Sequence, residues 1–445
     1  MAERWETMEK VPAPHFIPKF GPVSGMRVLL TGTIVAAPFG VQLLADFGAE
    51  VIHVELPDLG DSYRTQMPDI KSDVSDKRLA CSYIQKRNEL MMGLNLNIKK
   101  EPKAKEIFCG LIKQADVWVE NVVWLDKLGI DPKEMLKINP KLVIVHVSGF
   151  GNAAFGGDPA RCARPSYDPI GQCEGGLANM VGFPDGPPIY ANPFLNDYLA
   201  GMYTAFASLT GYINVRNGGM GQEIDIAQAE AQSRNLDDHY AVYMNLGIEK
   251  SRVGNRVPIF QPASMHKCGD GRYAFIGAFG KAAYDRCIRG LGLDPDLPQW
   301  DWEACGRSRE AVNSPEGIAL YEYIDNWFLG RSAQEAQDHM SQKEFNTPIG
   351  IVKAPKDNCS DPHWQSRGNF IKYKVPAIDD KEVEAFGFVP KFMETPGQVW
   401  RGQPGVGADT DWVLKELLGY SDAELDELHA IPGLITPRNA YTTKF

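Results

Sequence analysis

The chain predicts an α/β protein with a doubly wound, mostly parallel sheet. Strand-like and helix-like stretches alternate through roughly the first 225 residues. The first two strand-like runs are joined by one helix, which makes a βαβ unit with a right-handed crossover. The composition, 44% hydrophobic and 23% charged over 445 residues, is that of a globular protein with enough apolar mass for a large core. Such a length suits about two or three domains.

Met26 to Leu30 is a short apolar strand. Thr31 to Gly40 turns into a helix over Phe39 to Phe47, with Pro38 suited to a first helical position. Gly48 ends that helix, and Val51 to Glu55 is the second strand. The turn between them lacks G-x-G-x-x-G. Glu55 sits where a dinucleotide fold keeps its ribose-binding acid, but without the glycines NAD binding is disfavoured. Asp58 to Asp76 is polar and turn-rich, suited to the surface or to covering a ligand. Leu94 to Ile98 alternates like a strand, Glu101 to Gln114 is an amphipathic helix, and Ala115 to Asn121 is a strand ending in polar groups. A turn at Leu125 to Gly129, a short helix over Asp131 to Ile138 and a strand over Leu142 to Val147 follow.

Ser166 to Ala178 and Gly182 to Pro193 are rich in Gly and Pro and are expected to be loops. An Ala-rich helix then begins at Asn196 or Asp197, either of which would cap it. Gly218 to Gly221 suits a hairpin-like turn before a strand over Gln222 to Ala227. Ala227 to Asn245 reads as one long helical stretch, and the break at Gly247 to Pro262 suits a domain boundary. Met265 to Ile276 is a hairpin turning at Gly269-Asp270-Gly271. Residues 281–345 are mainly helical. Short strands and a helix over Asp409 to Leu418 close the chain, with the residues after Ile431 expected as a tail.

The formal charge of −11 and pI near 5.3 argue against nucleic acid or an anionic membrane as the main partner. Eight cysteines without a C-x-x-C pair fit a reducing cytosol, so a cytoplasmic protein is expected. The polar stretch Met1 to Lys19 lacks the apolar core of a signal peptide, and no apolar run approaches membrane-spanning length. No H-E-x-x-H or similar pairing points to a metal, and His146 suits a structural place within its strand. Ser148 precedes Gly149, but His146 stands where a G-x-S-x-G elbow needs glycine.

Against this background a few residues stand out. Asp197 is a single carboxylate at the start of a buried helix, where free N–H groups stabilise an anion. Arg64, Lys86, Arg87 and Lys127 come from neighbouring parts of the α/β unit and suit phosphate neutralisation. Lys99 to Lys105 suit a solvated helix face better. Gly149 and Gly151, beyond a strand end, would let the backbone approach a ligand.

The order of several blocks resembles the class III (CaiB/BaiF-type) CoA-transferases, closest to the carnitine and bile-acid subgroup. The blocks are Gly25 to Leu30 with Ala37-Pro38-Phe39, Leu44 to Glu55, Ala115 to Asn121, Asn139 to Gly151, Asn196 to Gly201 and Gly221 to Ala227, with Lys391 to Gly402 near the C-terminus. The resemblance runs from about residue 18 to about 430. It implies that Asp197 is the catalytic nucleophile, forming a mixed anhydride with an acyl group and then an aspartyl-CoA thioester. It implies CoA contacts from Lys127, Arg87, Arg64, Ile34, Val35 and Phe150, with backbone N–H groups near Gly149 and Gly151 helping an oxyanion. One departure is Val122-Val123, where carnitine-type members carry a lysine after the strand end.

The implied architecture is an interlocked-ring homodimer. A large Rossmann-like domain would comprise residues 1–227 and a returning segment 346–445, with a smaller α+β domain over 228–345. The co-substrate would be coenzyme A as an acyl-CoA, with no metal, and the acceptor a carnitine-like betaine in preference to a bile acid. Tyr190, Tyr198, Tyr240 and Tyr243 suit cation–π contact with such a cation. An acyl-CoA racemase or an NAD-linked oxidoreductase are the other classes. A racemase of this group would need a His–Asp pair, and no His lies beside Asp197 in the sequence.

Overall fold

A computed structural model of the protein describes residues 3–122 and 124–438. The described residues divide into two compact units. One draws on Met1–Leu177, Tyr190–Asp238 and Ser366–Phe445, the other on Ala178–Ile189 and His239–Gln365.

The strands, in chain order, are β1 (Arg27–Leu30), β2 (Glu50–Glu55), β3 (Asp69–Lys71), β4 (Arg78–Ala80), β5 (Glu89–Gly93), β6 (Val117–Glu120), β7 (Val143–Ser148) and β8 (Gln222–Ala227). They continue as β9 (Ala263–Lys267), β10 (Tyr273–Gly277), β11 (Ile349–Ile351), β12 (Phe370–Val375) and β13 (Lys381–Phe386). Six of them form a parallel sheet in the order β5-β2-β1-β6-β7-β8. The order reverses at β1, between β2 and β6, which is the doubly wound arrangement and puts a ligand crevice beyond that switch point.

The sheet is buried on both faces, so its central strands read as unbroken apolar runs. Alternate residues then serve opposite cores. Leu29, Ile52, Leu90, Trp118 and Ile144 pack with Ile107, Phe108 and Leu111 of the Pro102–Gln114 helix and with Leu414 and Leu417 of the Thr410–Leu418 helix. Val28, Leu30, Val119, Val145 and Val147 face the other way, toward Ala37, Val41 and Leu44 of the Ala36–Asp46 helix and Ala200 and Ala207 of the Leu195–Arg216 helix. Glycine lets these last two helices touch. A Cβ on Gly40 would lie 2.5 Å from the Gly201 carbonyl oxygen, and one on Gly201 would lie 2.9 Å from that of Ala36. This close approach sets the start of the Leu195–Arg216 helix beside the loop that follows β1.

Several expectations need correction. The strand expected at Leu94 to Ile98 lies earlier, at Glu89–Gly93, and Leu94 makes only an isolated bridge to Ile435. Polar Glu89 hid it, yet that carboxylate is buried on His53 Nδ1 at 2.9 Å. The expected loop Ser166 to Ala178 holds a helix, Asp168–Glu174, and a short one, Leu177–Met180. Gly171 there is a packing residue, since a Cβ on it would lie 1.8 Å from Asn196 Nδ2. Gly218 to Gly221 follows the long helix and leads into β8, which runs parallel to β7, so it is no hairpin. The stretch Ala227 to Asn245 is two helices, Gln228–Arg234 and His239–Leu246, with Asp237 at φ 51° between them. Leu434, Ile435 and Thr436 are buried rather than a free tail, while residues 439–445 and Val123 lie outside the described residues.

In the second unit, β9 and β10 form the expected antiparallel hairpin, with β11 beside β10. Tyr284, Ile288, Leu320, Ile324, Phe328 and Met340 pack with the sheet residues Ala274 and Ile276 as its core.

Candidate active site

The loop after β1, at the sheet's carboxyl end, is tightly constrained. Ile34 adopts φ 68°, which costs a β-branched residue about 1–3 kcal/mol. It is clamped on both sides. Its N–H donates to Asp61 at 3.0 Å, and its carbonyl accepts from Lys86 Nζ at 2.6 Å. Lys86 also reaches Asp61 Oδ2 at 2.9 Å and lies over the Tyr83 ring. Burial would raise the Asp61 carboxyl, but the charges of Lys86 and His53 hold it below its ordinary range. One residue earlier, Asn121 from the end of β6 clasps Thr33, accepting from its N–H and donating to its carbonyl at 3.0 Å each.

This loop lines a cavity of about 580 Å³. Ile34, Val35 and Phe39 form one side, Tyr63, Lys86 and Arg87 another, and Phe194 and Tyr198 the start of the long helix. Asp197 lies between those last two residues in sequence, is 7% exposed, and is not among the described residues lining the cavity.

The helix start differs from the expectation that Asn196 or Asp197 caps it. Phe194 holds the N-cap position at φ 39°, and no side chain of its own caps the helix. The cap comes from another helix. Asp168 Oδ2 accepts from the N–H of Asn196 at 2.6 Å and of Asp197 at 3.0 Å. Asp197 instead turns its Oδ1 to the Gln228 amide, at the start of the helix following β8. With the helix N–H groups taken by another carboxylate, the expected stabilisation of the Asp197 anion is overruled. Burial, with the Asp168 charge adding to it, pushes Asp197 up to about 7 against the pull of Gln228. Burial likewise raises the Tyr63 phenol, with the Asp197 and Asp61 charges adding to it.

The expected CoA-contacting residues are dispersed. Ile34, Val35 and Arg87 share the cavity beside Tyr198. Arg87 is 2% exposed and forked on Asp46, with Nε–Oδ1 2.9 Å and Nη2–Oδ2 2.7 Å, and it donates to the Phe386 carbonyl of β13. Arg64 is 1% exposed, forked on Glu55 at 2.9 and 3.0 Å, and bonded to the Pro404 carbonyl. Both guanidinium groups are therefore occupied by buried carboxylates. Glu55 also accepts from Gly407 N–H at 3.1 Å, so the acid placed where NAD folds bind ribose serves as internal scaffold here.

Lys127 differs. It is exposed on the short Leu125–Leu128 helix, over the Trp124 ring at 4.5 Å. Leu125 and Asp126 of that helix line a second cavity, of about 590 Å³, with Glu120, His146, Ser148, Gly151 and Asn152. His146 bridges Glu120 at 2.6 Å and Glu223 at 3.2 Å. Burial opposes its charge, but the two carboxylates outweigh that and raise its pKa. Gly151 is at φ 86°, and its N–H already donates to Ser148 Oγ at 2.9 Å. A Cβ on Gly149 would lie 2.2 Å from Ser166 Cβ. Phe150 lies under Arg164 at 4.9 Å and lines a third, smaller cavity.

Asp168, Gln228 and Tyr63 thus surround the site although none was singled out as a site residue by sequence. Among the described residues, no group of three or more His, Cys, Asp or Glu could hold a metal ion, and no helix is long and apolar enough to cross a membrane. A Ser264–His266–Asp325 array in the second unit has triad-like contacts of 2.7 and 2.5 Å. Its serine is 1% exposed while the aspartate side chain is 41% exposed, the reverse of what attack on a substrate requires.

Comparison with known proteins places the chain among relatives. Residues 23–410 match CoA-transferase family III. The chain is 32% identical over 421 residues to the bile acid CoA-transferase BaiK of Clostridium scindens, covering 92% of this chain and 89% of that one. It superposes on the crystal structure of a CaiB/BaiF family protein from Brucella suis with TM-score 0.74 at 25% identity, over 90% of this chain and all of the other. Rv3272 from Mycobacterium tuberculosis shares the fold at TM-score 0.71 and 21% identity, over 88% of this chain and 99% of its own. Matches of this extent in sequence, reinforced by the shared fold, make the protein a member of CoA-transferase family III, and its enzymatic activity that of a CoA-transferase.

Proposed function

We propose that the enzyme moves CoA from an acyl-CoA thioester to a free carboxylic acid with Asp197 as nucleophile. The observation that carries this reading is the buried Asp197 carboxyl, pushed up to about 7, which makes it a stronger base than a solvated carboxylate and still ionisable at neutral pH. Its carboxylate attacks the thioester carbonyl, forming an acyl-aspartyl anhydride and expelling CoA thiolate. The thiolate attacks the aspartyl carbonyl, releasing the donor acid and leaving aspartyl-CoA. The acceptor carboxylate repeats these two steps in reverse, which frees Asp197. Gln228 holds one carboxylate oxygen and leaves the other for attack.

For CoA itself, Lys127 is the phosphate contact we favour, because it is the exposed cation of the set. Ile34 and Val35 would line the pantetheine path, and Phe150, Gly149 and Gly151 would contribute from the loop after β7. Arg87 and Arg64 would support that path from behind. The acceptor we favour is a bulky apolar acid of the bile-acid type, supported by the 32% identity to BaiK. A carnitine-like betaine is the second reading, supported by the rings of Phe39, Tyr63 and Tyr198 in and beside the cavity wall. We also propose a homodimer. The Leu195–Arg216 helix exposes Leu195, Met202, Phe206 and Ile213 at helical spacing, an apolar row that a second copy would cover. Light scattering of the purified protein tests this, and a monomeric mass would refute it.

The mechanism is tested by incubating the enzyme with a panel of acyl-CoAs and weighing the intact protein. An aspartyl-CoA adduct on the peptide carrying Asp197, lost in Asp197→Ala, is expected. Full activity in that variant would sink the mechanism. Competition between a bile acid and carnitine as acceptors then separates the two substrate readings.

A further inference from the structure

The Asp168 carboxylate has no assigned part in the transfer chemistry, yet it is the group most tightly built into the start of the Asp197 helix. It is 1% exposed, and each oxygen has partners. Oδ2 takes the N–H groups of Asn196 and Asp197, and Oδ1 accepts from Gln172 Nε2 at 2.7 Å. Gln172 in turn is bonded twice to Ala191, donating to its carbonyl and accepting from its N–H at 2.7 Å each. One buried acid thereby ties the loop before the helix to the helix's first turn.

We propose that Asp168 is a positioning residue for the transfer reaction: its carboxylate fastens the first turn of the Asp197 helix and takes up the N–H groups there, so that the Asp197 carboxyl is turned to Gln228 rather than capping its own helix. This rests on Asp197 being the nucleophile. The physical reason is the competition for one helix end. Free N–H groups at an N-terminus favour whichever anion reaches them. Here Asp168 reaches them first, and its negative charge adds to the burial that already raises Asp197. The other groups facing Asp197 are Gln228 from the helix after β8, Tyr63 from the turn Ser62–Thr65 and Tyr198 on its own helix. None of these is a cation, and the hydrogen bond from Gln228 is the pull against burial and the Asp168 charge.

Asp168→Asn separates positioning from charge, because an amide oxygen can still accept from the two backbone N–H groups. The acid limb of kcat/KM is expected to move down by about one pH unit. At pH 8 kcat should fall several-fold as the nucleophile becomes less basic. Loss of activity by the same factor at every pH, with an unmoved acid limb, would show a structural cap only and overturn the proposal. Should the variant fail to fold, the wild type still tests the premise that Asp197 is not stabilised as a cap. Its aspartyl-CoA adduct, weighed after brief exposure to an acyl-CoA donor across pH 4 to 9, should appear with a midpoint near 7. A midpoint near 4, the ordinary carboxylate value, would overturn the proposal and leave Asp197 as nucleophile. Absence of the adduct at every pH would overturn the nucleophile reading, and this one with it.

Discussion

The two cavities of the sheet's carboxyl end hold similar volumes but opposite charge arrangements. Around the cavity beside Asp197 every cation is already matched. Arg87 is forked on Asp46, Lys86 is bonded to Asp61, and behind them Arg64 is forked on Glu55. Around the cavity beyond β6 and β7 the lining is acidic, with Glu120, Asp126 and Asp131, while Lys127 stays exposed on the short helix at its rim. The difference separates two uses of positive charge. A buried guanidinium locked to a carboxylate organises loops, and its energy is spent within the fold. An exposed ammonium on a short helix is available to an anionic ligand. Sequence placed all of these residues in one phosphate-binding set because it shows charge but not partners.

Asp197→Asn should produce the largest effect on chemistry, a loss of kcat of at least about 10⁴-fold with the fold intact, measured by steady-state kinetics and circular dichroism. Residual activity within tenfold of wild type would remove Asp197 from the reaction and leave its cavity without a nucleophile. Arg64→Met should strike stability instead. It strands Glu55 in the core without a cation and costs about 3–5 kcal/mol, read as a lower urea midpoint. In the folded enzyme its KM for acyl-CoA should hardly move. A raised KM at unchanged stability would place Arg64 with the ligand and erase the contrast between the two regions.

The legible parts of the molecule are those whose physics is local. β1, β2, β6 and β7 show as apolar runs because both faces of the sheet are covered. The β9–β10 hairpin shows because its turn is Gly-Asp-Gly. β5 stayed hidden behind Glu89, whose partner His53 comes from the neighbouring strand. The Asp168–Glu174 helix stayed hidden behind Gly171, a residue demanded by the approach of Asn196 and not by a turn. At the site, Asp197 was legible through the resemblance of its block to a family, whereas pattern alone suggested a cap. The true cap, Asp168, lies 28 and 29 residues from the N–H groups it accepts, a spacing that no local motif encodes. Gln228 is equally remote, 31 residues from the carboxylate it holds.

Lys127→Ala should give the smallest effect and the sharpest reading of the contrast. Among the described residues the exposed side chain stacks on Trp124, itself half-exposed, so its removal should leave the urea midpoint unchanged. If Lys127 meets a CoA phosphate, KM for acyl-CoA should rise about tenfold with kcat preserved, since a charge-assisted contact of about 1.5 kcal/mol is lost equally from ground and transition states. Salt should then weaken acyl-CoA binding in the wild type more than in the variant, because the lost interaction is a screened, solvent-facing one. Lys127→Arg should restore KM, the guanidinium reaching the same phosphate. An unchanged KM in Lys127→Ala would move the phosphate contact elsewhere. The paired cations beside Asp197 would then be the next ones to test, and the contrast between the two regions would narrow.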